Sequence, residues 1–78
     1  MKKRVKLTFP QERIKDPVLF EMAKEFNIMP NIRRAKVTET FGEMVLELDG
    51  EEHDLEAGLD SVKAKGIQVE LVEGDVLE

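Results

Sequence analysis

The hydropathy pattern predicts an α+β fold: a ferredoxin-like, ACT-like βαββαβ plait. Its four-stranded antiparallel sheet would carry both helices on one face. Three observations lead there. Four segments alternate apolar and polar residues with a period of two, the mark of a half-buried strand. Two segments place apolar residues at helical spacing. Their order is strand, helix, strand, strand, helix, strand, so each half is a split β-α-β unit. Two such halves interleave into one sheet with the first and third strands in the centre.

Each element has its own justification. In residues 3–9, Val5, Leu7 and Phe9 alternate with Arg4, Lys6 and Thr8. Residues 10–15 read as a loop. Asp16 and Pro17 then suit a helix start, Asp as a cap for free amides and Pro at the first helical position. Leu19, Met22, Ala23 and Phe26 would share the buried face, and Asn27 fits a left-handed helix end. Residues 28–40 read as an extended strand with a phase conflict. Ile28 and Ile32 share one phase, Ala35 and Val37 the other, so a bulge is expected near Arg33 and Arg34. Phe41 and Gly42 read as the turn. Met44, Leu46 and Leu48 mark the third strand, which Asp49 and Gly50 end. The second helix spans residues 51–65, with acids in its first turn and Lys63 and Lys65 in its last, both suited to the helix dipole. Leu55, Leu59 and Val62 form its apolar stripe, and Gly66 stops it. Ile67, Val69 and Leu71 alternate as the fourth strand.

Composition narrows the function. At 78 residues and 41% apolar content the chain makes one globular domain with a heavily charged surface. No apolar run approaches the roughly 20 residues of a membrane span, and no signal-peptide core follows the basic start. Without cysteine the chain holds no disulfide and no iron–sulfur ligation of its own. The setting this implies is reduced and cytoplasmic. Residues 1–36 carry a net charge of +6 and residues 37–78 carry −11, which leaves −5. The simplest account is mutual neutralisation across strands, with Arg4 and Lys6 on the open sheet face between Glu47 and Glu70. Net acidity also argues against nucleic acid, and the chain lacks the Tyr and Trp that such sheets use to stack bases.

Catalytic chemistry finds little support, and the chain reads as non-enzymatic. His53 is the only histidine, in the acidic first turn of the second helix, where a solvated side chain explains it better than a metal ligand. Ser61 is the only serine and has no base partner in prospect. The five glycines are spaced as turn, stop and packing residues, not as a phosphate loop.

Two features leave room for function. Pro30 marks the stretch from Ile28 to Ala35 as an edge strand, because it cannot donate to a sheet. Asn31 within it either closes a local turn or presents its amide to a polar ligand or partner. The open sheet face, with Val45 and Val72, is either solvated or paired with a second copy.

At these residues the sequence resembles the NIL domain family. The similarity runs through Leu7-Thr8-Phe9-Pro10, Pro17-Val18-Leu19, Phe26-Asn27-Ile28 and Asn31-Ile32-Arg33-Arg34-Ala35. It continues through Leu46-Glu47-Leu48-Asp49-Gly50 and Gly66-Ile67-Gln68-Val69-Glu70. The resemblance implies one of two settings. In one branch the domain ends the ATPase subunit of methionine ABC importers, pairs with a copy, binds methionine and inhibits transport. The motif asparagine maps to Asn31 and its neighbour to Ile32. Arg33 stands where that branch has leucine, and the hairpin around Phe41 and Gly42 is shorter. The other branch carries Asn-Ile-Arg-Arg-Ala and precedes a two-cluster 4Fe-4S ferredoxin domain, with a link to sulfur assimilation into homocysteine.

The expectation is therefore a single NIL-like domain over residues 1–76. Leu77 and Glu78 are either a cloning scar or a native end. A downstream 4Fe-4S domain would lie outside this chain. Asn31, Ile32, Arg33 and Arg34 would form the ligand site, the amide on a polar head and an arginine fork on a carboxylate. Expected partners are a methionine-like amino acid, a second copy through the sheet or an edge strand, and a downstream ferredoxin domain or partner enzyme. The alternative is a docking domain with no small ligand.

Overall fold

The computed structural model describes residues 1–72, so the boundary at Val76 and the pair Leu77 and Glu78 lie outside the described residues. The elements are β1 (Lys2–Phe9), α1 (Val18–Phe26), β2 (Met29–Val37), β3 (Gly42–Asp49), α2 (Glu52–Ala64) and β4 (Gln68–Leu71). All neighbouring strands are antiparallel, in the order β2-β3-β1-β4. The plait and its two central strands are as expected.

Strand phase builds the core. Val5, Leu7 and Phe9 of β1 point inward, opposite Leu46, Met44 and Gly42 of β3. Met22 of α1 and Leu55, Leu59 and Val62 of α2 cover them. Each such side chain, fully buried, contributes about 1.5–3 kcal/mol. No charged or polar residue is fully buried among the described residues. The opposite face of the sheet is charged. Arg4 Nη2 donates to Glu47 Oε2 across the strands at 3.2 Å. Lys6 lies directly opposite Glu70 of β4, as expected, and its Nζ pairs on the other side with Glu43 at 3.0 Å. On the β3 side the residue directly opposite Lys6 is Val45, so the flexible lysine reaches diagonally past it to Glu43.

Four local details differ from expectation. Residues Gln11–Arg13 form a short 3-10 turn within the expected loop. At the start of α1, Pro17 is the cap position and no side chain caps the helix. Arg13 draws the Asp16 carboxylate away instead, with Nη1 to Oδ2 at 3.0 Å. The buried face of α1 is also rotated: Val18 and Met22 are buried, Leu19 and Phe26 half-buried, and Ala23 exposed. Finally, the β2–β3 turn lies at residues 38–41. The Thr38 hydroxyl accepts the amides of Thr40 and Phe41 there, at 3.3 and 3.0 Å. Gly42 is a strand residue. A Cβ on it would sit 3.3 Å from Phe9 Cβ, so its lack of a side chain makes room for the ring.

Two helix ends and one close approach fix where β2 and β4 begin. Asn27 adopts a left-handed conformation, φ 56° and ψ 41°, and its N–H bonds to the Met22 carbonyl. The chain turns there and delivers Ile28 into the core at 2% exposure. Gly58 of α2 packs directly on that residue, and a Cβ at Gly58 would collide with Ile28 Cδ1. Gly66, at φ 84°, releases the chain from α2 into β4. A Lys65–Glu21 ion pair ties the two helices together on the outside.

Candidate functional site

β2 is an edge strand, as Pro30 suggested, with β3 on one side only. Its register breaks between Ile32 and Arg34, where the phase conflict placed a bulge. The break decides which side chain goes where. Before it, Asn31 lies opposite Glu47 and so on the open face, while Ile32 lies opposite the core residue Leu46. Arg33 is the extra residue of the bulge. After it, Arg34 and Lys36 take the open face opposite Val45 and Glu43, and Ala35 and Val37 take the helix face. Without the bulge, Arg34 would have pointed under α1.

The four expected site residues are therefore contiguous but not convergent. Asn31 and Arg34 share the open face, Ile32 faces the helix side, and Arg33 stands between. All four are exposed. The Asn31 carboxamide makes no hydrogen bond among the described residues, so it does not close a local turn. Its neighbour across the strand, Glu47, is already engaged by Arg4, and both of those side chains are 14% exposed. Arg33, Arg34 and Lys36 form no ion pair among the described residues.

Asn31 and Ile32 line a broad groove of about 740 Å³ that wraps the sheet edge toward Leu19, Phe20 and Ala23 of α1. The groove has both characters a small amphiphile requires. Its apolar wall is Phe20, 62% exposed, with Ile32 and Met29, and its polar rim is Lys2, Asn31 and Asp49. Lys24 sits over the Phe20 ring, 5.6 Å from its centroid.

A second hollow was missed by sequence reasoning. It measures about 220 Å³ and lies at the other end of the α1–β2 seam, beside Val37. Ile14, Val18, Leu19 and Met44 line it, with Asp16 as its one charged wall. Such a hollow exceeds the roughly 150 Å³ that admits a benzene ring. Its sequence signal was faint: Phe20 is a large apolar residue off the buried face of α1, and Val37, although on the helix face of β2, stays exposed.

The expected solvated histidine behaves as such. His53 is exposed on the first turn of α2, with Nε2 3.2 Å from Asp54 Oδ1. Glu51, His53 and Asp54 could bring ligand atoms within 4.8 Å of one another, but these are exposed groups of a kind common without a metal. Ser61 is half-buried farther along α2. Among the described residues, no helix is long and apolar enough to cross a membrane.

Comparison with known proteins gives a consistent result. Residues 3–71 match the profile of the NIL domain. The chain is 28% identical over 74 residues to the methionine import ATP-binding protein MetN of Bacillus subtilis, covering 90% of this chain and 22% of that protein. It is 31% identical over 73 residues to MetN 2 of Listeria innocua, covering 88% of this chain and 22% of that protein. The chain thus spans about a fifth of the length of these relatives. Among solved structures, it superposes on the C-terminal domain of an ABC transporter ATP-binding protein from Enterococcus faecalis with a TM-score of 0.79. That match is 21% identical and covers 94% of this chain and 86% of the other.

Proposed function

The chain belongs to the NIL domain family, and from that premise we propose that it is a non-catalytic regulatory module that binds a small sulfur amino acid, methionine first, in the cytoplasm. The observation that carries the reading is the Asn31 carboxamide: exposed, without a hydrogen bond among the described residues, and set at the rim of a half-apolar groove. An amide there offers both a donor and an acceptor to a zwitterionic head group. Phe20, Met29 and Ile32 offer apolar contact to a thioether chain, and methionine–aromatic contacts add to such binding. Arg34, on the same face as Asn31, engages no acid among the described residues, and its fork suits a carboxylate. The methionine import named for the MetN relatives supports this ligand class. No cofactor is assigned to this chain.

Calorimetric titration of the wild type and of Asn31→Ala with L-methionine, homocysteine and cysteine tests the reading. Heat of binding for one amino acid, lost in the variant at unchanged melting temperature, is the expected result. Equal binding by both proteins removes Asn31 from the site.

A second reading rests on a different observation. Arg33, Arg34 and Lys36 form a cationic strip on a chain of net charge −5, with no internal partner among the described residues. A docking domain that sets a 4Fe-4S carrier beside an acidic partner would use that strip and ignore Asn31. Reversing the charge of Arg33 and Arg34 would then abolish partner binding.

A further inference from the structure

We propose that the outer edge of β2 is a strand-addition site for an extended segment of another protein in which acidic and apolar residues alternate. The inference concerns a macromolecular partner and does not depend on an amino acid binding at Asn31.

The edge is available. Among the described residues β2 pairs with β3 alone, and residues 31–40 are all exposed. Pro30 and the bulge at Arg33 spoil the first half of the strand for further pairing. Residues 34–37, beyond the bulge, are in regular register with β3 and present the usable stretch. A strand added there would lie about 4.8 Å away, with its side chains alternating between the two faces of the sheet.

Each face states what it would accept. On the open face Arg34 and Lys36 stand two residues apart, and no acid engages either among the described residues. Glu43, directly across from Lys36, is taken by Lys6. Two acidic residues of an incoming strand, themselves two apart, would meet these cations. On the helix face Val37 is 51% exposed and borders the apolar hollow of about 220 Å³. An apolar residue lying between those acids in sequence would project into that side and could seat in the hollow against Ile14 and Leu19.

The same charges disfavour a second copy of this chain. Two β2 edges paired antiparallel through residues 34–37 must keep their open faces together. Every such register sets Arg34 or Lys36 opposite Arg34 or Lys36 of the other copy. Like charges directly opposite are destabilising. A homodimer is thereby left to the open sheet face, and the β2 edge to an acidic strand.

The test uses the labelled domain and a capped synthetic peptide, Thr-Glu-Leu-Glu-Val-Glu-Thr, with a Lys-for-Glu version as control. Amide shifts and slowed exchange confined to residues 34–37 and the hollow are expected with the acidic peptide only. Arg34→Glu/Lys36→Glu should weaken that binding by about tenfold or more and transfer it to the basic peptide. Both residues are exposed, so the variant should fold; the single Arg34→Glu change repeats the test with less perturbation. The inference is overturned if the acidic peptide leaves residues 34–37 unmoved, or if both peptides bind alike. Concentration-dependent shifts at residues 34–37 without peptide would overturn it too, because they would show a second copy at the edge.

Discussion

The contact of Gly58 with Ile28 sets the distance between α2 and the start of β2, and it can be tested by a double-mutant cycle. Gly58→Ala should force its new methyl against Ile28 Cδ1, the free end of a side chain that is 2% exposed and must change rotamer within the core. Overpacking of this kind costs about 1–3 kcal/mol. The exchange also gains about 1 kcal/mol of helix propensity. The net expectation is about 1 kcal/mol of destabilisation. Ile28→Val removes the colliding carbon and by itself costs about 1 kcal/mol. In the double variant the clash is gone and the propensity gain remains, so stability should return close to wild type. The coupling is then about 2 kcal/mol, well beyond the error of such cycles. Urea unfolding is the assay. With a slope of about 1 kcal/mol/M, each single variant should lose about 1 M in midpoint and the double variant almost none. A double variant whose loss equals the sum of the two would refute the packing argument.

Other outcomes follow from the same structure. Leu46→Ala, at a fully buried position on a central strand, should cost about 2–5 kcal/mol. A domain of this size has about 4–12 kcal/mol in all, so thermal unfolding should begin near room temperature or lose its cooperativity. Gly66→Ala meets no atom within 4 Å, so its cost should come from φ alone, about 1–2 kcal/mol by chemical denaturation. A Gly66→Asn variant should recover part of it, since asparagine tolerates that region. Asn31→Ala removes no hydrogen bond among the described residues and should leave the unfolding stability within about 0.5 kcal/mol of wild type while removing ligand binding.

Much of this fold is legible in its sequence because each strand keeps one buried phase. Val5, Leu7 and Phe9 announce β1 without ambiguity, and the change of phase between Ile32 and Ala35 places the bulge to within a residue. Asn27 likewise marks a left-handed helix end that the structure contains. Two of the misreadings share a cause: residues with two roles available. Asp16 suits a helix cap, yet Arg13 is three residues away and carries a full charge. Gly42 suits a turn, but the Thr38 hydroxyl satisfies that turn by itself, and the glycine is needed beside Phe9. Neither competition can be decided without the packing.

The candidate site is legible only as a segment. Residues 31–34 look like one cluster in the sequence, but a strand sends neighbours to opposite faces, and the bulge then resets the alternation. The groove beside Asn31 requires Phe20, eleven residues earlier, to lean over the sheet edge. The hollow beside Val37 needs four elements packed together before it exists: β1, α1, β2 and β3. No local pattern announces a space.

The central claim is that Asn31 and its groove bind a sulfur amino acid, and a heteronuclear NMR titration with L-methionine tests it most directly. The account predicts saturable shifts at Asn31, Ile32 and Arg34, extending to Phe20 and Ala23 across the groove. Saturable binding that leaves those five amides in place, or no response to methionine, homocysteine or cysteine at millimolar concentration, would contradict it.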